Sequence, residues 1–226
     1  MRFQAAYSTP PVVKNLIILN ALFFLAEMVL PAGAGDWMIR HLGLFYWGSG
    51  NFQPLQLVTH MFMHASLTHL FFNMFALWMF GRTLEYELGS KRFLLYYMVT
   101  GVGAGLLQLG VTWIEVSSLA DGVASGTVSP YVLQSRIHAV TIGASGAVFG
   151  VLLAFGMMHP NSMIMLLIPP IPIKAKYFVL LYGAAELFFG LQNSVGDNVA
   201  HFAHLGGMLF GFFLILYWRK HSKKFY

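Results

Sequence analysis

Apolar residues gather in six blocks along the chain, centred on Leu16 to Leu30, Leu67 to Phe80, Phe93 to Ile114, Ala144 to Met158, Tyr177 to Leu191 and Phe202 to Trp218. Several fall short of the roughly 20 residues of an ideal membrane-crossing helix, so their borders extend into flanking polar positions. The pattern predicts helices over roughly 12–32, 57–80, 92–114, 142–158, 175–192 and 199–218. The expected fold is an all-α membrane protein, a six-transmembrane-helix bundle forming one membrane domain over 1–226. The first block has a signal-peptide look, with Lys14, an apolar core and "AGAG" at 32–35. It reads as a retained helix, because Asn20 and Glu27 interrupt its core and five more blocks follow. No fixed-period repeat occurs and the two halves do not match, so an inverted-repeat transporter gains no support. In "PPIPIKAK", 169–176, the prolines break the chain before the fifth helix.

Composition agrees with membrane burial: 58% of the 226 residues are hydrophobic and 9% charged, outside the usual soluble range. The net charge of +5 does not form an aromatic-interleaved basic patch, so no nucleic-acid partner is expected. Its distribution matters more. Arg2, Lys14, Arg82, Lys91, Arg92, Lys174, Lys176, Arg219, Lys220, Lys223 and Lys224 fall on one side of six spans, and only Arg40 and Arg136 on the other. Eleven against two puts both termini in the cytoplasm, and the protein is expected as a multi-pass component of a bacterial inner membrane. The loops at about 33–56, 115–140 and around Asp197 then face outward, as do the heads of the second, fourth and sixth helices. The outer stretch containing "SLADGVASGTVSP" reads as a flexible connection.

With no cysteine, chemistry must come from hydroxyl, imidazole, amide or carboxylate groups. Polar residues inside spans are costly and mark functional candidates. His69 and Asn73, four apart, share a helix face and can both donate hydrogen bonds, as a developing oxyanion requires. On a regular helix His64 points more than about 100° away from them. Gly146, Gly150 and Ala154 form a smooth strip on the fourth helix, and Ala203, Gly207 and Gly211 another on the sixth. Packed together, such strips bring Ser145 and His204 to one depth near the outer ends of their helices. A serine beside a histidine base is the minimal nucleophilic pair. A carboxylate at that depth is not evident: Glu27 and Glu186 lie in spans carrying no other part of the group, and Asp197 is on a loop. A dyad is therefore expected, with Phe149 stacking on the imidazole one turn below Ser145. "GASGA" is not the soluble nucleophile elbow, since position 147 is alanine and no strand precedes it. Both serine and histidines also have plain structural readings as packing, capping or interhelical bonding groups.

Three motifs carry a family resemblance. "HASLTHLFFN" resembles the second-helix H-x-x-x-x-H-x-x-x-N pattern of rhomboid intramembrane serine proteases, on His64, His69 and Asn73; "GASG" resembles their serine motif, on Gly143, Ser145 and Gly146; "AHLGGMLFG" is similar to their H-x-x-G-x-x-x-G motif, on His204, Gly207 and Gly211. The resemblance implies Ser145 as nucleophile and His204 as base. It implies an oxyanion hole from Asn73, His69 and the Ser145 amide, and a short fourth helix below a water-filled cavity open to the outside. Substrates would be single-span membrane proteins cut in or near the transmembrane segment; membrane lipid is the other partner, and no cofactor or metal is implied. "GRTLEYELG", 81–89, resembles a cytoplasmic cap, giving Glu85 a structural role. Where relatives often carry a Trp-Arg pair before the second helix, this chain has Leu55 and Gln56.

Competing readings are a catalytically inactive relative that binds client helices and a metal-handling membrane protein. His60 with His64, and His201 with His204, have spacings a metal could use. Against the metal, no H-E-x-x-H occurs and no acidic residue shares these faces. His201 could also replace His204 as base, but the glycine spacing that follows favours His204. Phe188 and Phe189 on the fifth helix, with Phe71, Phe72 and Trp78 on the second, could form a lateral gate or simply meet lipid.

Overall fold

The computed structural model describes residues 8–31, 33–166, 170–192 and 199–221. Helix α1, Pro11–Val29, starts with a proline at its first position, where an amide hydrogen would have no intrahelical partner. Its next two amides are satisfied from afar: Glu85 accepts from Val12 N at 2.9 Å and Val13 N at 2.7 Å, and from Ser90 Oγ at 2.6 Å. Glu85 is thus a buried tie between the start of α1 and the turn at Ser90. After α2, Ala34–Leu42, the chain forms a compact outer loop around Gln56, whose buried side chain accepts from Phe45 N and Gln53 N and donates to Arg40 O and Asn51 O. One buried amide therefore ties four backbone points of the loop together.

The second predicted helix, 57–80, is corrected by the structure. Only a short helix α3, Gln56–Thr59, and one 3-10 turn, His60–Phe62, precede a break, and α4, Leu67–Ala76, starts afresh. Ser66 makes the restart by accepting from His69 N at 3.1 Å, a side-chain N-cap. A π-helical stretch, Leu77–Gly81, carries α4 into α5, Arg82–Leu88. Gly89, with φ 76°, then reverses the chain into α6, Ser90–Ala124.

Helix α6 has 35 residues, about 52 Å at 1.5 Å per residue. It continues well past the predicted end at 114, so the outer stretch 115–140 is not a flexible connection. It holds the last turns of α6 and then α7, Pro130–Ile137, and Arg136 of α7 pairs with Glu115 of α6. Polar composition misled here because this part of the helix needs no apolar face. Strand β1, Leu44–Phe45, pairs antiparallel with β2, Val140–Thr141. This ladder clamps the segment that leads into α8, Ser145–Met158.

Helix α8 is buried on almost every side, as its uniformly apolar sequence requires. A second ladder, β3, Met163–Met165, with β4, Pro172–Lys174, fills the proline-rich turn before α9, Ala175–Gln192. Residues 167–169 of that turn, and Asp197, lie outside the described residues. Helix α10, His201–His221, closes the bundle against α6, α8 and α9. Among the described residues, α1, α6 and α10 are long and apolar enough to cross a membrane, and α8 is apolar but shorter. Leu22, Leu25, Trp113, Leu180, Leu181 and Phe213 are exposed on their helices, as expected of surfaces solvated by lipid.

The glycines of the two strips do not all face one another. At the outer end they touch closely: a Cβ on Gly207 would stand 1.8 Å from the Gly146 carbonyl oxygen. Deeper in, Gly150 and Gly211 both face α6, where Thr100 and Tyr96 fill the space, and Tyr96 donates to Gly150 O at 2.8 Å. A Cβ on Gly146 would also stand 3.3 Å from the Ala203 carbonyl oxygen, so the two strips meet at Gly146, Ala203 and Gly207, while Gly150 and Gly211 face α6.

Candidate active site

The heads of α4, α8 and α10 lie at one end of the bundle and line a cavity of about 1310 Å³. Ser145 is the first residue of α8, where backbone N–H groups have no intrahelical acceptor and the helix dipole is positive. The turn before it depends on Gly143. Its φ of 132° favours glycine, and a Cβ there would lie 2.8 Å from His69 Cε1. Its amide donates to His60 O at 2.9 Å, fastening the turn to the outer loop.

His204, in the first turn of α10, places Nε2 2.9 Å from Ser145 Oγ. Its ring stacks on Phe149, centroids 4.2 Å apart and planes 6° apart. The close approach of Gly207 to Gly146 sets this geometry, since His204 lies one turn before Gly207 and Ser145 directly precedes Gly146. His69 and Asn73 face the same cavity from α4. Asn73 Nδ2 donates to His69 O at 3.1 Å, leaving its second amide hydrogen for another acceptor. His64 is brought next to His69, with ring centroids 5.0 Å apart. It sits in the turn before α4, so the angular separation of a regular helix does not apply to it.

One functional neighbour was missed from sequence. Glu186 of α9 is not isolated from the group: its Oε2 lies 2.8 Å from His204 Nδ1 and 2.6 Å from His201 Nδ1. The expectation that no carboxylate stands at the depth of the serine is therefore wrong. So is the expectation that no acidic residue shares the histidine face: ligand atoms of Glu186, His201 and His204 lie within 4.8 Å of one another, close enough to hold a cation. The available signal was position. Glu186 lies six residues before the end of α9 at Gln192, toward the end of the bundle where α10 begins with His201. An ionised carboxylate only accepts, so both Nδ1 atoms donate to it, and His204 presents its Nε2 lone pair to the serine hydroxyl. His201 is thereby bonded to Glu186, and His204 is the imidazole that meets Ser145. His60 instead bonds Gln56 O through Nδ1 at 2.8 Å.

The rhomboid domain family model matches residues 51–221, most of the chain and all of this site. The chain belongs to the rhomboid family. With its long apolar helices, it is an integral membrane protein of that family. The chain is 28% identical over 94% of its length to the putative rhomboid protease YdcA of Bacillus subtilis, covering 90% of that protein. It is 32% identical to the chloroplastic rhomboid-like protein 11 of Arabidopsis thaliana over 88% of its length, and 30% identical to the mitochondrial rhomboid protein 1 of Saccharomyces cerevisiae over 70%. It spans 62% and 40% of those two rhomboid proteins' lengths.

Proposed function

We propose that the chain is an intramembrane serine endopeptidase that cuts single-span membrane proteins in or near their transmembrane segment. The observation carrying this reading is the 2.9 Å contact of Ser145 Oγ with His204 Nε2 on the wall of a large cavity. Such a pair within hydrogen-bond reach is what nucleophilic catalysis needs. His204 takes the hydroxyl proton on Nε2 as Ser145 Oγ bonds to the scissile carbonyl carbon, and the carbonyl electrons move onto its oxygen. The Ser145 amide, Asn73 and His69 donate to that oxyanion. Collapse expels the amine, which takes the proton from Nε2, and water repeats the cycle on the acyl-enzyme.

Water is the scarce reactant inside a bilayer, and α8 addresses this by being short. Its 14 residues rise about 21 Å against a hydrocarbon thickness of about 30 Å. With its far end at the cytoplasmic face, Ser145 would lie below the outer surface, on the wall of the cavity. Given the six apolar blocks, the eleven-to-two distribution of basic residues supports an orientation with both termini in the cytoplasm, and a bacterial inner membrane is the proposed location. The presence of both serine and histidine argues against an inactive client-binding relative, and the protease names of relatives such as the Bacillus protein support activity.

The test is cleavage of a panel of single-span substrates in liposomes by wild type, Ser145→Ala and His204→Ala, together with labelling by a serine-directed phosphonate. Both variants are expected to be inactive and folded, and the serine variant unlabelled. Full cleavage by Ser145→Ala, with loss of cleavage on chelation, would establish the metal-handling reading in its place.

A further inference from the structure

Glu186 is buried in the apolar helix α9, where a carboxylate is tolerated only if it is well partnered. Its partners are two imidazoles on one oxygen, at 2.6 Å and 2.8 Å, both from the first turn of α10. One of those imidazoles is the ring whose other nitrogen touches Ser145. Stacking on Phe149 sets the plane of that ring, but a flat apolar face does not distinguish Nδ1–H from Nε2–H, nor one in-plane orientation from its flip. Only the tautomer with the proton on Nδ1 leaves a lone pair for the serine.

We infer that Glu186 is a positioning residue for His204, extending the pair to a Ser145–His204–Glu186 relay, and that His201 holds the carboxylate in place from the outer end of α10. The inference rests on the protease reading above. When the Ser145 proton reaches Nε2, the imidazolium keeps its Nδ1 proton in the hydrogen bond to Glu186, and no proton passes to the carboxylate. The charge on His204 then develops against an opposite charge already in position. His201 is the second donor on the same oxygen, so the carboxylate cannot rotate toward the cavity without breaking two bonds.

The same three side chains could bind a divalent cation, but the two consequences differ. A cation on His204 Nδ1 would leave the ring proton on Nε2, facing the serine, and would block the base. The relay thus requires wild-type cleavage to be insensitive to chelation.

The experiment uses the full chain in liposomes with a single-span substrate, comparing wild type, Ser145→Ala, Glu186→Gln, Glu186→Asp, His201→Ala and His201→Asn. Glu186→Gln is expected to lower kcat by roughly 10²-fold or more, bounded by the roughly 10⁴ seen when a triad carboxylate becomes an amide, with KM little changed. Glu186→Asp should recover part of kcat. His201→Ala should lose less than Glu186→Gln, and His201→Asn, whose side-chain amide can replace the Nδ1 donor, should recover most of that loss. A second readout does not depend on the Glu186 variants folding. Ser145→Ala should show a downfield imidazole N–H resonance in its proton spectrum, from Nδ1–H bonded to a carboxylate.

Wild-type kcat in Glu186→Gln, a change confined to KM, loss of wild-type cleavage on chelation, or absence of the downfield resonance would each overturn the relay. Full cleavage by Ser145→Ala would instead refute the protease reading itself, so the two failures are distinguishable.

Discussion

Replacing Gly207 with alanine adds a single methyl group at the point where α10 touches α8. Built on the present backbone, that Cβ would stand 1.8 Å from the Gly146 carbonyl oxygen, 2.7 Å from its carbonyl carbon and 3.4 Å from its Cα. The obstacle is backbone in the middle of a packed bundle, so no side chain can turn aside. To reach even 3.0 Å, a separation real Cβ atoms hardly ever go below, α10 must retreat by about 1.2 Å. His204 rides on the same helix one turn away and Ser145 directly precedes Gly146. A retreat along their line opens the 2.9 Å contact toward about 4 Å, beyond hydrogen-bond range. Misplacement of catalytic groups by about 1 Å can cost roughly 10²-fold in rate, and overpacking typically destabilises by about 1–3 kcal/mol. Gly207→Ala is therefore expected to lose about two orders of magnitude in kcat while remaining folded. Gly110→Ala on α6, where a Cβ meets nothing within 4 Å, is the control and should be silent. The assay is substrate cleavage in liposomes alongside phosphonate labelling and thermal unfolding in detergent. Wild-type kcat in Gly207→Ala would refute the claim that this one backbone contact sets the serine–histidine distance.

Other outcomes follow from the same geometry. Asn73→Ala should lower kcat by roughly 10²–10³, about 2.7–4 kcal/mol in the barrier, if its free amide hydrogen meets the oxyanion; a change in KM alone would assign it to substrate binding. Glu85→Ala leaves two amides and one hydroxyl without their acceptor, and hydrogen bonds to charged groups contribute about 1.5–3 kcal/mol each. A large fall in melting temperature is expected, with kcat of the folded fraction unchanged. Phe72 of α4 and Phe189 of α9 both line the cavity, whereas Phe71, Trp78 and Phe188 do not line it. Trimming Phe72 and Phe189 to alanine should speed cleavage of an intact single-span substrate without altering phosphonate labelling. Unchanged cleavage would leave both rings as lipid-facing surface.

Much of the site was legible because short-range rules connect its parts. Four-residue glycine spacing on the fourth and sixth helices placed Ser145 beside Gly146 and His204 one turn before Gly207, on surfaces smooth enough to meet. The same 3.6-residue repeat placed Phe149 below Ser145 and Asn73 beside His69. Legibility ended where a regular helix was assumed and the chain departed from one. His64 was assigned to the far side of a helix that does not yet exist at that position, because Ser66 restarts it. The polar tail of α6 was read as a flexible loop, since composition alone does not distinguish an exposed helix from irregular chain. The strips on α8 and α10 meet at Gly146, Ala203 and Gly207, but spacing alone does not show that Gly150 and Gly211 face Thr100 and Tyr96 of α6 instead.

The sequence by itself determined the membrane character of the chain, the order of its apolar helices, the asymmetry of its basic residues and the local positions of Ser145, His204, His69 and Asn73. All of these depend on helical periodicity or on the free energy of moving a residue from water to hydrocarbon, which act within one element. Only the tertiary structure decided which elements touch. It put Glu85 beneath the start of α1, 72 residues away in the case of Val13, and Glu186 of α9 against two histidines of α10. Distances of that kind depend on crossing angle and helix offset, and these are set by where a Cβ is missing and where a tyrosine fills the gap. No pattern within one helix encodes the position of its neighbour.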